Sequence, residues 1–244
     1  MGPGQRPRRL RPRAHQPEGA RRLRQGQRLS GLTTDELRAL AAQLSRHLAV
    51  LEVRVADTGD PDLGVPLADA LRIAPGWIDT YRDLTIAQSG TAPPGMPGAF
   101  VLQYLLDPIA STIATAAAVS HVALDADAGR WSIELHPTYL YPVAVQLRAA
   151  DDRLLVDQEE RLEVARAGYL ATATDIATRL PTPTRMSSRQ RLGMAEDLWQ
   201  MALARVAGES PPQRRSCCLI YALPGCVPCA GCPRLRSPAD RGGA

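Results

Sequence analysis

One stretch determines how the rest of the chain is interpreted: Arg214-Arg215-Ser216-Cys217-Cys218-Leu219-Ile220-Tyr221-Ala222-Leu223-Pro224-Gly225-Cys226-Val227-Pro228-Cys229-Ala230-Gly231-Cys232-Pro233. It contains all 5 cysteines of the 244 residues. Structural cysteines are usually dispersed, whereas thiolates gathered on one loop rich in Pro and Gly are typical ligands of a soft metal. The grouping therefore predicts a metal site near the C-terminus.

The spacing of the cysteines contains two patterns. In the first, the adjacent pair Cys217-Cys218 is followed by ten residues and then by Cys229-x-x-Cys232; in the second, Cys226 begins a C-x-x-C-x-x-C run. Neighbouring Cα atoms are about 3.8 Å apart, and their side chains point to opposite faces of an extended chain. Both members of the pair can therefore reach one centre only if the backbone turns there. A two-iron cluster is wider than a single ion and is the easier target.

Three other kinds of site suit the cysteine spacing less well: structural zinc, a four-iron cluster and disulfides. Structural zinc more naturally uses two C-x-x-C turns. The run that ends at Cys232 resembles a four-iron ferredoxin pattern, but that pattern continues with a cysteine three residues further on, and none follows here. Disulfides need an oxidising compartment, and the sequence contains no signal peptide that would deliver the chain to one. A two-iron cluster is the favoured interpretation.

The segment Arg215-Ser216-Cys217-Cys218-Leu219-x-Tyr221-x-Leu223-Pro224-Gly225, followed by Cys229-x-x-Cys232-Pro233, resembles the C-terminal signature of the FhuF-type ferric-siderophore reductases. The resemblance is specific over roughly residues 186–234. It implies a [2Fe–2S] cluster held by Cys217, Cys218, Cys229 and Cys232. Cys226 departs from the family pattern and is either a bystander thiol or an alternative ligand.

The resemblance implies an oxidoreductase of the cytoplasm. One electron from an external donor protein or reductant would pass through the cluster to Fe(III) in an imported siderophore, and Fe(II) would be released. Arg214, Arg215, Arg234 and Arg236 bracket the loop, where they could offset thiolate charge and attract an anionic chelate or donor. His136, Tyr139 and Tyr141 are close in sequence and are candidates for the chelate pocket. The substrate-binding residues predicted here are Arg215, Arg234, His136 and Tyr139.

Two further functions remain open from the sequence. The cysteines could hold zinc or a cluster in a non-catalytic module that only stabilises the C-terminus or relays electrons. The first thirty residues hold nine arginines against Glu18, which could be a nucleic-acid arm. We expect a disordered tail instead, because no aromatic residue there could stack on bases. Neither a G-x-G-x-x-G nor a Walker motif is present, so electrons must come from another protein or reductant.

The whole chain predicts an α+β fold that is mainly helical, with a small antiparallel sheet and a C-terminal Fe–S cluster loop. Capping signals at Thr33 with Glu36 and at Ser187 or Ser188 mark the starts of two helices. The expected helical segments are 33–51, 67–73, 77–86, 100–122, 159–180 and 187–208. The expected domains are a disordered Arg-rich tail at 1–30, a helical domain at 31–210 with a small sheet near 122–147, the cluster loop at 211–236 and a disordered tail at 237–244.

Residues 100–122 are apolar enough to suggest a membrane span, but Asp107, Pro108 and several hydroxyl residues favour a buried helix of a protein without such a span.

Residues 122–124 and 131–135 flank a turn and predict a hairpin. Residues 139–147 could supply a third strand, which Pro142 would confine to an edge of the sheet.

Overall fold

The computed structural model describes residues 31–57, 59–229 and 231–235. It confirms the mainly helical α+β class; the predicted tails and Arg236 lie outside the described residues. The helices are α1 (Thr34–His47), α2 (Ala70–Ser89), α3 (Met96–Val119), α4 (Gln158–Arg179) and α5 (Ser188–Ala207). The strands are β1 (Glu52–Val55), β2 (Val65–Pro66), β3 (Val122–Ala123), β4 (Trp131–Leu135), β5 (Pro142–Leu147) and β6 (Arg153–Leu154).

Helix α3 is the centre of the core. It packs most extensively against α5 and then against α4 and α2, and apolar residues occur all around it, as expected for a helix with no solvent face. Its length and hydropathy would suit a membrane span, but 78% of the apolar window is buried inside the protein. The prediction of a buried helix over this segment is therefore confirmed.

Local capping signals identify several helix ends correctly. The Thr33 hydroxyl accepts a hydrogen bond from the Glu36 N–H, and the Glu36 carboxylate accepts the Thr33 N–H in return. Ser187 caps α5, which ends at Gly208 with φ +68°. The separation of 67–73 from 77–86 is wrong, because both segments belong to α2. Pro75 removes only one hydrogen bond from the early part of that helix, and burial of its middle against the core maintains it.

The main sheet has the strand order β1-β5-β4-β2, in which β1 and β5 are parallel and the other pairs antiparallel. The predicted hairpin between 122–124 and 131–135 is wrong, because β3 pairs with β6 instead. The cause is a buried ion pair between Arg130 and Asp152, and Asp152 also accepts the N–H of Asp125. Asp152 immediately precedes β6, so these contacts bring β6, rather than β4, alongside β3.

The third predicted strand is present as β5, but it is not at an edge. Pro142 is its first residue and lies opposite Leu135, where the β4–β5 register shifts. The parallel pairing with β1 begins only at Ala144. No ladder hydrogen bond needs an N–H from Pro142, so a proline is tolerated at the start of a central strand.

Candidate metal centre

The cysteine loop lies along helix α5. Gln190 in the first turn of α5 donates its side-chain amide to the Cys217 carbonyl at 2.8 Å. Gly193, one turn further on, packs against the loop at Arg215 and Ser216. Asp197 follows at a spacing that keeps it on the same face of the helix. Three positions of one helix therefore hold the backbone just before and at the first cysteine.

Asp197 makes the most contacts of these three. Its carboxylate accepts the N–H of Arg215 at 2.9 and 3.0 Å, the N–H of Ser216 at 2.7 Å and the Ser216 hydroxyl at 2.5 Å. The side chain is buried, and hydrogen bonds to a buried carboxylate are among the strong ones. The sequence analysis missed Asp197. The available signal was an acidic residue within the apolar run around Leu198 and Trp199.

Arg214, one of the four arginines expected to offset thiolate charge or attract an anionic chelate or donor, is buried. Its guanidinium donates to the side chains of Gln103 on α3 and Ser216, both at 3.3 Å. Its Nε lies 3.9 Å from Asp197 Oδ2, within ion-pair range but too far for a hydrogen bond, and has no hydrogen-bond partner among the described residues. Arg214 therefore joins the loop to both α3 and α5.

The second half of the cysteine loop is joined to the first through Gly231. Its carbonyl accepts the Arg214 N–H at 2.7 Å. Gly231 has φ +71°, and a Cβ built there would clash with the Pro212 carbonyl oxygen. The Cys232 N–H donates to the Cys229 carbonyl at 3.0 Å and closes the C-x-x-C turn. Glycine is therefore required inside this turn for both its conformation and its close packing.

The cysteines themselves approach one another across the loop. The Sγ atoms of Cys218 and Cys229 are 3.8 Å apart. Two thiolates about 2.3 Å from one tetrahedral ion would be separated by about the same distance. The backbone turns directly after the adjacent pair, since Leu219 has φ 66° and donates its N–H to Cys217 Sγ at 3.4 Å. Cys226 is exposed, and the described contacts do not join its sulfur to the others.

The environment of the Cys229 sulfur disfavours thiolate charge in the absence of a cation. Burial raises the pKa of the Cys229 thiol to about 11, and the neighbouring Cys218 adds to the increase. The positive charge of Arg214 opposes it. Bound cations deprotonate coordinating thiols, so a bound metal would relieve this cost. The four cysteines on one loop are a donor set that fits an iron–sulfur cluster.

No group of three or more His, Cys, Asp or Glu side chains in residues 31–57, 59–229 and 231–235 is spaced to hold a single metal ion. Among the described contacts of the cysteine loop, one joins two sulfurs, those of Cys218 and Cys229. This pair of sulfurs has the separation that a shared ion requires. Cys217 is next to Cys218 in the sequence, and Cys232 is the second cysteine of the C-x-x-C turn that begins at Cys229.

The predicted substrate residues lie in two groups. His136, Tyr139 and Tyr141 form one aromatic cluster at the β4–β5 turn, with ring centroids 4.9 to 6.4 Å apart. His136 Nδ1 accepts two backbone N–H groups at 3.2 Å, and the tyrosines are 51% and 41% exposed. Arg215 is exposed, while the Arg234 guanidinium lies 4.1 Å above the ring of Tyr221. No described contact joins the arginines to the aromatic cluster.

Tyr81 and Tyr104 form a tyrosine pair that was not predicted from the sequence. The hydroxyls of Tyr81 on α2 and Tyr104 on α3 are 3.3 Å apart. Burial raises the pKa of both, and the charge of Cys218 adds to each increase. Tyr141 adds further to that of Tyr104. Tyr104 is thus close enough to the cysteine loop and to the β4–β5 turn to be affected by charge on either.

Two comparisons with known proteins bear on this site. A search of curated proteins finds no match to the chain. Residues 214–234 match the family model described as the FhuF 2Fe-2S C-terminal domain. The matched segment includes all five cysteines together with Arg214, whose buried contacts shape the loop. The resemblance of this C-terminal segment to the FhuF-type family is thereby confirmed.

Proposed function

We propose that this protein is a cytoplasmic ferric-siderophore reductase that uses a [2Fe–2S] cluster. The observation that carries the proposal is the cysteine loop itself. It matches the FhuF 2Fe-2S C-terminal domain, and it holds Cys218 and Cys229 with their sulfurs 3.8 Å apart. Fixed contacts from α3 and α5 support the loop, as expected for a site built on rigid elements.

Cys217, Cys218, Cys229 and Cys232 would hold the cluster. The separation of the Cys218 and Cys229 sulfurs suits two ligands of one iron, so we assign these two to the same iron. Cys226 would remain a free thiol, because it is exposed and its sulfur has no described contact with the others. When bound, such a cluster accepts and gives up one electron at a time.

The surrounding residues would set the conditions for this chemistry. Asp197 fixes the backbone before the first cysteine pair, and Arg214 places a buried positive charge near the sulfurs. A nearby positive charge stabilises the reduced, more negative state. Ferric iron in a siderophore has hard oxygen ligands, which bind ferrous iron less strongly. Addition of one electron to this substrate would therefore loosen the chelate.

The aromatic cluster at the β4–β5 turn is the surface that we assign to the chelate. Tyr139 and Tyr141 are exposed there, and Tyr141 and Cys218 each contribute to the raised pKa of Tyr104. Aromatic rings with polar tips are suited to a ligand that has both carbon backbone and polar chelating groups. The external reductant would deliver its electron from another side of the loop.

The proposal is tested with protein purified anaerobically, after iron and acid-labile sulfide have been measured. The protein is reduced, freed of reductant and mixed with a ferric hydroxamate. We expect bleached visible absorbance to recover as Fe(II) is trapped by a ferrous chelator. Cys229→Ser should abolish both signals, while Cys226→Ser, the matched control on the same loop, should retain them. A reduced wild-type protein that neither reoxidises nor releases Fe(II) would refute the function.

A second function is supported by the same contacts. The hydrogen bonds of Asp197 and Arg214 attach the C-terminal segment to the helical core, and a bound metal could serve only to complete this attachment. Metal and sulfide analysis separates the two functions. Zinc without acid-labile sulfide would exclude the reductase and support the structural role.

A further inference from the structure

Charge is distributed very unevenly along the described chain. Residues 31–184 contain 11 arginines against 20 acidic residues, whereas residues 185–235 contain 7 arginines against 3 acidic residues. The second segment includes α5 and the cysteine loop. The part of the protein that builds the candidate metal centre is therefore basic, although the rest of the described chain is acidic.

Four exposed arginines account for most of this basic character: Arg185, Arg189, Arg215 and Arg234. We call them the arginine rim. None of the four forms an ion pair within the described residues, where most other arginines do: Arg38, Arg54, Arg72, Arg82, Arg130, Arg148, Arg166, Arg179 and Arg205. Four of the six exposed, unpaired arginines in the described ranges thus lie in residues 185–235, and the other two are Arg46 on α1 and Arg153 in β6.

Arg215 and Arg234 belong to the cysteine loop. Arg215 is two residues before Cys217, and its backbone is held by Asp197. Arg234 is two residues after Cys232 and stacks on Tyr221. The two therefore flank the cysteine ligands on both sides in sequence.

Arg185 and Arg189 are each adjacent in sequence to a residue that lies near the loop. Arg189 precedes Gln190, which donates to the Cys217 carbonyl. Arg185 follows Thr184, and both Thr184 and Leu219 pack against Gly95. The arginine rim therefore comes from three segments of the chain: residues 185–189, the start of the cysteine loop at Arg215 and its end at Arg234.

The position of Arg189 is unfavourable for the helix that contains it. The first turn of α5 contains no acidic residue, and Arg189 places a cation near the positive end of the helix dipole. Such placement opposes helix stability. The tip of the loop between the two halves of the cysteine signature is apolar, with Val227 78% exposed. An exposed apolar residue on a loop that is flanked in sequence by unpaired arginines has the composition of a protein interface.

We propose that the arginine rim docks the electron donor of this protein, a small electron-carrier protein with an acidic face. The proposal rests on the proposed function, since it concerns the electron that the cysteine-held centre receives. One electron leaves the reduced carrier and enters that centre, and no atom or proton is transferred. Arginine suits such an interface because its guanidinium is weakly hydrated and pairs well with carboxylates. Complementary charge would accelerate the encounter and make it sensitive to salt.

The test uses the iron-loaded, full-length protein and a chemically reduced plant-type ferredoxin, an acidic carrier, as the probe. Stopped-flow absorbance gives the second-order rate of electron transfer at several ionic strengths. The rate for the wild type should fall steeply as salt increases. The double variant Arg185→Glu/Arg189→Glu should be at least tenfold slower at low salt, with a flatter salt dependence. Titration calorimetry with oxidised ferredoxin should show a matching loss of binding.

The matched control is Arg46→Glu/Arg153→Glu. These arginines are also exposed and without a carboxylate partner in the described ranges, but they lie on α1 and in β6. The control makes the same change in net charge and should retain the rate of the wild type within about twofold, as expected for charges outside the interface. Reduction by a small uncharged photoreductant should be equal in all three proteins.

Four results would overturn the proposal. The first is an equal slowing by the rim and control variants. The second is a wild-type rate that does not depend on salt, and the third is a failure to accept electrons from ferredoxin. The fourth is loss of the salt dependence on deletion of residues 1–30, with no effect of the rim variant. Salt-sensitive transfer without release of Fe(II) from a ferric chelate would support the rim and refute only the reductase function.

Discussion

Replacement of Asp197 by Asn tests whether this carboxylate organises the cysteine loop. The variant keeps the shape of the side chain but removes its charge, and its NH₂ group would face N–H donors from Arg215 and Ser216. Hydrogen bonds to a charged group contribute about 1.5–3 kcal/mol each, and loss of one member of a buried ion pair costs about 3–5 kcal/mol. Since Asn still accepts through one oxygen, we expect the free energy of unfolding to fall by about 3 kcal/mol.

The assay combines urea denaturation, followed by far-UV circular dichroism, with iron and sulfide measured per chain. We expect a lower urea midpoint and substantial loss of iron, while the helical signal in buffer persists. Glu196→Gln is the control on the same helix, since Glu196 pairs with the exposed Arg166. Loss of such a surface pair costs about 0.2–1 kcal/mol.

A double-mutant cycle with Arg214→Gln sharpens the test. Arg214 would retain an uncompensated buried charge after Asp197→Asn, so the double variant should lose less than the two single variants together. We expect a coupling energy of at least about 1 kcal/mol, in the range for residues of one network. An Asp197→Asn protein with the urea midpoint and iron content of the wild type would refute this account of the loop.

Other substitutions probe the loop and the core. Gly231→Ala should lose iron and more stability than Gly208→Ala, because both glycines have similar positive φ but only Gly231 packs against the Pro212 carbonyl; urea midpoints and iron content measure the difference. Cys226→Ser should retain the visible spectrum and iron content of the wild type, and loss of colour would contradict the assignment of Cys226 as a free thiol. Tyr169 is fully buried, and burial raises its pKa well above 10; its contribution to stability is therefore present below pH 10 and is lost as pH rises beyond that, where the unfolded tyrosine ionises. Tyr169→Phe should flatten the fall of unfolding free energy between pH 9.5 and 11, and an unchanged slope would contradict this.

Features that depend on neighbouring residues could be predicted from the sequence. The Thr33–Glu36 capping box and the Gly208 end of α5 are signals read within one helical turn. The four proposed ligands were selected through the resemblance of the cysteine spacing to the FhuF-type signature, and their role as ligands stays a prediction. The burial of α3 could be predicted because the segment is largely apolar and has no charged stripe to face solvent, while Asp107 and the hydroxyl residues argued against a membrane span.

Features that depend on distant residues could not be predicted in this way. Asp197 meets its partners 18 and 19 positions later in the chain, and no local pattern connects a helical acid to a loop that far away. The pairing of β3 with β6 depends on the buried ion pair between Arg130 and Asp152, which tertiary packing creates. The same limit explains why Tyr81 and Tyr104 were not associated with the cysteines, since α2 and α3 must pack before either approaches Cys218.

We expect the buried and the exposed arginines near the candidate metal centre to differ in role, the first structural and the second in binding the donor. The dipole of α5 provides a test that separates the two roles. Arg214 is buried beside Asp197, and its removal should weaken the fold. Arg185 and Arg189, in contrast, lie before and within the first turn of α5, where glutamate interacts better with the helix dipole. Their replacement by Glu should therefore leave the fold as stable as the wild type or slightly more stable. A protein that unfolds at higher urea but receives electrons more slowly would show that these two positive charges serve the donor, because a purely structural role would move both quantities in the same direction.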